Sequence, residues 1–261
     1  MTYFILAPLA VVLVGIAKAG FGSGVGIAAV PLFIIATNDP KASLGIMLPL
    51  LCACDVIALY HYRRTFDPKN LGLLLPGAAI GIGVCGVFLG KIGNGNQTQD
   101  FLKIFIGVIS IAFVLYQATK TWILKRLDSY KPENWHGWFF GFWIGVTSTL
   151  AHAAGPVATM YLFPQHLGRR LFVGTTVVLF AFVNALKLIP YFYHHMINLG
   201  SMQQSLILLP FVPLGTWLGV WMNQRINETV FSAVIYTILF LLGVNMITGF
   251  DPVMFFYRFF S

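Results

Sequence analysis

The sequence predicts an all-α protein that crosses a membrane many times. Hydrophobic residues make up 58% of the 261 residues and charged residues only 9%, whereas about 25% of the residues in soluble domains are charged. The mean hydropathy is +0.81, and the apolar residues form long runs between short polar loops. Such runs are typical of membrane-spanning helices, because a helix satisfies its backbone hydrogen bonds internally.

The lengths of the apolar runs predict which of them cross the bilayer. A span needs about 20 residues, and two pairs of runs are shorter. Each short pair encloses a tip that contains glycine, Lys18–Gly26 in the first and Thr147–Pro156 in the second, so we expect a helical hairpin that enters the membrane and turns back. The first pair is 3–17 and 25–36, and the second is 137–150 and 155–163. The longer runs are expected to be six full spans: 43–60, 71–90, 101–122, 171–189, 205–222 and 229–248.

The order of these segments occurs twice, which predicts two repeats, each a broken helical hairpin followed by three transmembrane helices. An odd number of crossings in each repeat makes the repeats inverted relative to each other. Positions that match between the halves include Gly15 with Gly145, Asp55 with Asn184, and Gly81 with Gly215. The predicted organisation is a first repeat at 1–122, a basic cytoplasmic linker at 123–136, a second repeat at 137–249 and an aromatic C-terminal tail at 250–261.

The distribution of basic residues predicts the orientation of the chain. In this topology the loops at 61–70, 120–136, 165–170 and 223–228 share one face and hold ten lysines and arginines, against four on the other face. The positive-inside rule places the richer face in the cytoplasm and both termini outside. The net charge of +8 therefore needs no nucleic-acid partner, since no basic face carries interleaved aromatic residues.

The stretch Gly15–Pro31 gives the strongest sign of a binding site. It places Lys18 and alternating glycines between two apolar runs, and irregular backbone at membrane depth is tolerated only where it is buried or lines a cavity. A second lysine, Lys187, also lies in an apolar run. Half-helices that begin near Gly24 and near Gly155–Pro156 would aim their positive ends at the same place, which favours a small anion. Lys187 has a simpler alternative, in which its side chain extends to the membrane interface.

We expect the two hairpin tips to form the anion site together. Their serine and threonine hydroxyls are donors suited to the oxygens of a small oxyanion. The predicted substrate-binding residues are Lys18, Gly22, Ser23, Gly24, Thr147, Ser148, Thr149, His152, Asn184 and Lys187. A proton is a possible co-transported ion, and the lipid bilayer is the surrounding medium.

Two residues are candidates for proton coupling, and both have alternatives. Asp55 either forms a polar pair with Asn184 on the matching inner face or binds Arg63 or Arg64 at the surface. His152 either carries protons, because its charge changes near neutral pH, or donates hydrogen bonds to carbonyls of the unwound tip.

The sequence shows no motif for an enzyme, a metal or a cofactor. The segment Phe21–Gly24 lacks the first glycine of the G-x-S-G pattern of intramembrane serine proteases, and the glycine run lacks the Gly-Lys-Ser/Thr sequence of a phosphate-binding loop. Cys52, Cys54 and Cys85 lie in apolar runs and are expected to be packing residues. A channel lined by the same polar tips is the alternative to a carrier, and the oligomeric state is not predicted.

Motifs in both halves occur in a specific order. The first half has Lys18-Ala-Gly-Phe-Gly-Ser-Gly-Val-Gly, Pro31, Met47-Leu-Pro-Leu-Leu and Asp55, and the second has His152-Ala-Ala-Gly-Pro, Phe172-Val-Gly-Thr-Thr-Val, Asn184, Lys187 and Pro190-Tyr. This set resembles the sulfite exporter TauE/SafE family over about residues 5–248. The resemblance implies a multi-pass carrier for small anions in the bacterial inner membrane, with sulfite, sulfoacetate and related organosulfur compounds as associated substrates.

Overall fold

The computed structural model describes residues 2–16, 25–92, 96–127, 133–225 and 228–249. These ranges contain eleven α-helices and no strand, so the all-α prediction is confirmed. The helices are α1 (Thr2–Ile16), α2 (Ala29–Thr37), α3 (Pro40–Tyr62), α4 (Pro68–Ile92), α5 (Asn96–Leu127), α6 (Asn134–Ala151), α7 (Gly155–Leu162), α8 (Arg169–Tyr193), α9 (Leu199–Leu208), α10 (Phe211–Arg225) and α11 (Glu228–Thr248). Short 3₁₀ segments at Val25–Ala28 and Phe163–Gln165 flank α2 and α7.

Four of the six predicted spans are helices long and apolar enough to cross a membrane: Pro40–Tyr60, Pro68–Lys91, Thr98–Lys120 and Arg169–Tyr193. The last run, 229–248, falls within α11. The run at 205–222 is not one continuous helix, because the chain turns at Leu209 and Pro210 between α9 and α10. Pro210 and Pro213 remove two backbone N–H groups within one turn at this point, which destabilises a continuous helix.

The second hairpin is present in the structure. At the end of α6, His152 adopts a left-handed conformation with φ of 49°, and the backbone N–H groups of His152 and Ala153 donate to the carbonyls of Ser148 and Thr147. Such a C-terminal cap ends a helix. The ring of Tyr161 in α7 then lies 5.7 Å from that of Phe140 in α6, so α7 runs back along α6.

The first hairpin is described only in part. Helix α1 packs against α2, and buried side chains of both, such as Val11 and Phe33, belong to one apolar core cluster. Most of the predicted tip, Lys18–Gly26, lies outside the described residues.

Helices α3 and α8, which the sequence predicts to be equivalent in the two repeats, pack antiparallel. Near one end a β-carbon on Gly45 of α3 would overlap the carbonyl oxygen of Met196, just beyond α8. In the middle, the carboxylate of Asp55 contacts the amide of Asn184. Near the other end a β-carbon on Gly174 would overlap the carbonyl of Thr65.

The last helices of the two halves, α5 and α11, also pack antiparallel. The rings of Phe113 and Tyr236 lie 5.6 Å apart, and Gly107 lies against the backbone of Gly243 further along both helices. Helix α5 continues to Leu127 and α6 begins at Asn134, so helical segments enter the predicted linker from both sides.

Glycines let two pairs of helices cross in close backbone contact. A β-carbon added to Gly15 of α1 would lie 2.7 Å from the backbone of Gly215 in α10. The matched positions make the corresponding crossing: a β-carbon on Gly145 of α6 or on Gly81 of α4 would overlap carbonyl oxygens of the other helix. The same kind of crossing therefore joins α1 to α10 and α6 to α4.

We expect leucine at Gly81 to destabilise the protein, because its side chain has no room against the backbone of α6. Overpacking of this kind costs about 1–3 kcal/mol, which would lower the midpoint of thermal unfolding in detergent by about 5 °C. Gly83 of the same helix is a matched control, since a β-carbon there meets nothing within 4 Å. Equal midpoints for Gly81→Leu and Gly83→Leu would contradict the close crossing of α4 and α6.

Candidate functional site

Polar side chains are buried where the break between α6 and α7 meets α3 and α8. Lys187 has no exposed surface, and Asp55 and Asn184 are only 5% and 6% exposed. Asn184, Lys187 and Tyr191 are spaced three and four residues apart on α8 and therefore share one face of that helix. Buried ionisable groups at membrane depth are costly and commonly functional, so this cluster is the candidate site.

Lys187 binds the end of α6. Its Nζ donates to the backbone carbonyl of Ser148 at 3.1 Å and lies 2.8 Å from Nδ1 of His152. The alternative in which Lys187 extends to the membrane interface is therefore wrong, since the side chain is directed into the core.

His152 connects Lys187 to α3. Its Nε2 lies 3.2 Å from the carbonyl oxygen of Leu44, and because a carbonyl only accepts, Nε2 carries the proton of this hydrogen bond. The residue is also held by the left-handed backbone conformation that caps α6. His152 thus donates to a carbonyl, as one alternative expected, although this carbonyl belongs to the helix α3.

Tyr191 adds a third bond between α8 and the end of α6. Its hydroxyl donates to the carbonyl of Thr149 at 2.7 Å, and its ring centroid lies 6.1 Å from that of His152. Sequence analysis did not include Tyr191 in the site. Its position one turn after Lys187 is the signal that was available, because residues four apart lie on the same face of a helix.

The broken helix presents two electrostatically different ends to the site. The carbonyl end of α6, where the helix dipole is negative, accepts a hydrogen bond from Lys187. Helix α7 begins at Gly155, with Pro156 in its first turn as expected, and its N-terminal end is positive. The sequence had suggested only positive helix ends, and the structure adds the negative end that binds the lysine.

The threonine hydroxyls of the tip bond to their own helix. Thr147 donates to the carbonyl of Trp143 at 2.8 Å, and Thr149 donates to that of Gly145 at 2.7 Å. These hydroxyl protons therefore do not point to an anion in this conformation. Ser148 contributes its backbone carbonyl to Lys187.

Asp55 and Asn184 form the polar pair that one alternative predicted. The amide Nδ2 of Asn184 donates to Oδ2 of Asp55 at 2.6 Å, and the bond is buried. The pair joins equivalent positions of α3 and α8 and lies one turn of α8 from Lys187. It thus places a carboxyl group and an ammonium group within the same polar cluster.

Lys18, Gly22, Ser23 and Gly24 lie outside the described residues, so the structure does not place the first predicted tip. Within the described ranges no group of three metal-ligating side chains occurs. Cys54 and Cys85 are buried in the apolar core, where they pack as expected.

Comparison with known proteins gives one match. The family model described as sulfite exporter TauE/SafE matches residues 7–246, which is most of the 261-residue chain. No curated protein and no solved structure matches the chain significantly.

Proposed function

Because the chain belongs to the sulfite exporter TauE/SafE family of membrane transporters, we propose that it is a secondary transporter of small anions. The proposed substrates are sulfite or organosulfonates such as sulfoacetate, and the proposed location is a bacterial inner membrane. Transport proceeds by alternating access around a site formed by the two hairpin tips, and a proton accompanies the anion.

The fully buried amino group of Lys187 beside a broken helix is the observation that carries the proposal. An ionisable side chain in the protein core is costly unless it is paired or used. The N-terminal end of α7 begins a few residues after the carbonyl that Lys187 binds. A small anion that replaces this carbonyl would interact with both the ammonium and the positive helix end.

The antiparallel packing of equivalent helices supports an inverted repeat. Helices α3 and α8 approach each other along their lengths, from Gly45 and Met196 at one end to Thr65 and Gly174 at the other. A two-fold axis that relates antiparallel spans lies in the plane of the membrane, and in transporters of this architecture the binding site lies near the axis at mid-depth. The bond between Asp55 and Asn184 is in the middle of this pairing.

The first hairpin completes the proposed site. By analogy with the second hairpin, its tip would bring Lys18, Ser23 and the backbone N–H groups near Gly22 and Gly24 to the anion. Replacing Lys18 with alanine is therefore expected to abolish binding, whereas arginine retains part of it, since the charge is kept and the shape changed. Anion affinity measured on both variants checks this, and wild-type affinity in Lys18→Ala would exclude the residue from the site.

A thermal-shift screen of the purified protein tests the substrate class. Sulfite, sulfoacetate, thiosulfate, acetate and phosphate are compared at matched ionic strength. A ligand present at 100 times its Kd stabilises the folded state by about 2.7 kcal/mol, so sulfite or sulfoacetate should raise the unfolding midpoint more than acetate or phosphate. The absence of stabilisation by every anion in the panel would contradict the proposal.

Cysteine accessibility tests the topology. With Cys52, Cys54 and Cys85 replaced, single cysteines at Asn134 and Gln165 lie at the two open ends of the α6–α7 hairpin. Since the hairpin returns to its starting side, both should be cytoplasmic and resist an impermeant thiol reagent added outside intact cells. Labelling of one position and protection of the other would show that the segment crosses the membrane.

A further inference from the structure

The hydrogen bond between His152 and Lys187 limits how many protons the two side chains can hold. A hydrogen bond between two nitrogens needs one donor and one acceptor. Nδ1 of His152 and Nζ of Lys187 lie 2.8 Å apart, and Nε2 of His152 already donates to Leu44. Either a neutral histidine accepts from the lysine, or an imidazolium donates to a neutral amine. A pair with both groups protonated has no acceptor for this bond, so the intact bond allows at most one positive charge, and in its charged form the bonded pair carries one.

We propose that this pair is a proton-controlled latch between the α6–α7 hairpin and α8, and that an oxyanion binds when the latch opens. The inference rests on the proposed function. One proton from water binds the shared nitrogen pair, leaving an N–H at Nδ1 and a full ammonium at Nζ. No acceptor then remains between them, the hydrogen bond is lost, and the charge of the pair rises from one to two.

The open latch is complementary to an anion with at least two oxygens, such as a sulfonate or sulfite. One oxygen accepts from Nδ1 of His152 and another from Nζ of Lys187, which removes the repulsion between the two cations. Proton binding and anion binding therefore favour each other, and this coupling is reciprocal. One proton taken up with each anion is the expected stoichiometry of the site.

Other ionisable groups surround the pair. From α8, Tyr191 faces His152, and its hydroxyl is bound to Thr149. Helix α4 packs on α8 at Gly86 and Pro190 and carries Cys85 there. On α3, Lys41 lies one turn before Leu44, and Asp55 lies three turns after it. Asp55 bonds Asn184, which lies one turn of α8 before Lys187.

Proton uptake on binding tests the proposal in the complete protein in lipid nanodiscs. Sulfoacetate binding is measured by calorimetry at pH 7 in buffers of different ionisation enthalpy, because the sulfonate itself stays ionised. The wild type should take up a proton, and its affinity should rise about fivefold or more between pH 8 and pH 6. His152→Asn keeps an acceptor for Lys187 but does not titrate, so its affinity should be independent of pH. Uptake that persists in His152→Asn would overturn the latch.

His194 offers a matched control. Its Nε2 bonds the carbonyl of Gly86 at 2.7 Å, which resembles the bond from His152 to Leu44, but this bond joins the end of α8 to α4 and does not involve the α6–α7 hairpin. We expect His194→Asn to take up the same number of protons as the wild type. Loss of proton uptake in His194→Asn together with unchanged proton uptake in His152→Asn would show that the proton does not bind the pair of His152 and Lys187. That result would contradict the proposal.

A measurement without any anion separates the latch from the transport function. In protein labelled with ¹⁵N at histidine and lysine, NMR should show His152 protonated at Nε2 at neutral pH. As the pH falls, the signals of His152 Nδ1 and Lys187 Nζ should change together with one midpoint. Separate midpoints would overturn the latch. A common midpoint in protein that binds no sulfonate would support the latch and contradict the proposed substrate.

Discussion

Replacing Lys187 with methionine is expected to abolish anion transport while the protein still folds. Methionine has similar length and tolerates a buried position, but it removes the ammonium that binds Ser148 and His152. Loss of one partner of a buried charged interaction costs about 2–5 kcal/mol, so binding of sulfoacetate should weaken at least about 30-fold. Equilibrium binding in nanodiscs and uptake into proteoliposomes measure the effect.

Two variants separate the role of this charge from general effects. Lys187→Arg keeps the charge but forces a larger planar group into a fully buried position, so we expect partial activity. Lys91→Met removes a lysine from the exposed end of α4 and should leave transport unchanged. Wild-type affinity in a folded Lys187→Met protein would show that Lys187 only stabilises the end of α6.

Replacing Asp55 with asparagine is expected to uncouple transport from protons. The amide can still bond the side chain of Asn184, so anion affinity should stay within about threefold of the wild type, a difference below 1 kcal/mol. The variant has no carboxyl group to pass on the proton that the pair of His152 and Lys187 takes up, however, so a pH gradient should no longer drive accumulation. Binding and gradient-driven uptake are measured on the same preparation.

The partner residue provides the control for this prediction. Asn184→Leu removes the hydrogen bond but keeps the carboxyl group of Asp55, so it should retain coupling, although the buried carboxyl loses a partner and the protein loses stability. If Asp55→Asn still accumulates substrate in response to a proton gradient, Asp55 is not the coupling group. The shared proton of His152 and Lys187 would then account for coupling by itself.

The second hairpin could be predicted because the length of a run and the position of Pro156 both limit where helices begin and end. The break at His152 could not, since a left-handed histidine has no distinctive sequence signal. The division between α9 and α10 was also missed. Pro76, the matched position in the first half, lies inside the continuous helix α4, so proline alone does not decide whether a helix is interrupted.

The sequence pointed to several residues of the candidate site, but it did not predict their bonding. Polar residues within apolar runs, such as Asp55 and Lys187, are conspicuous in sequence because their burial is costly. The hydrogen-bond partners depend on which faces of the helices meet. This is set by close backbone contacts between residues that are far apart in the sequence. The hydroxyls of Thr147 and Thr149 donate to backbone carbonyls four residues earlier in this conformation, and such a carbonyl is within reach of a threonine side chain in any helix.

Concentrative uptake by the purified protein tests the central claim most directly. Proteoliposomes contain labelled sulfoacetate at equal concentration inside and outside, and a pH gradient is then imposed in either direction. The account predicts saturable net movement that concentrates the anion on one side and stops when a protonophore is added. Rapid, unsaturable exchange of label without accumulation would contradict the account and identify the protein as an anion channel of the same architecture.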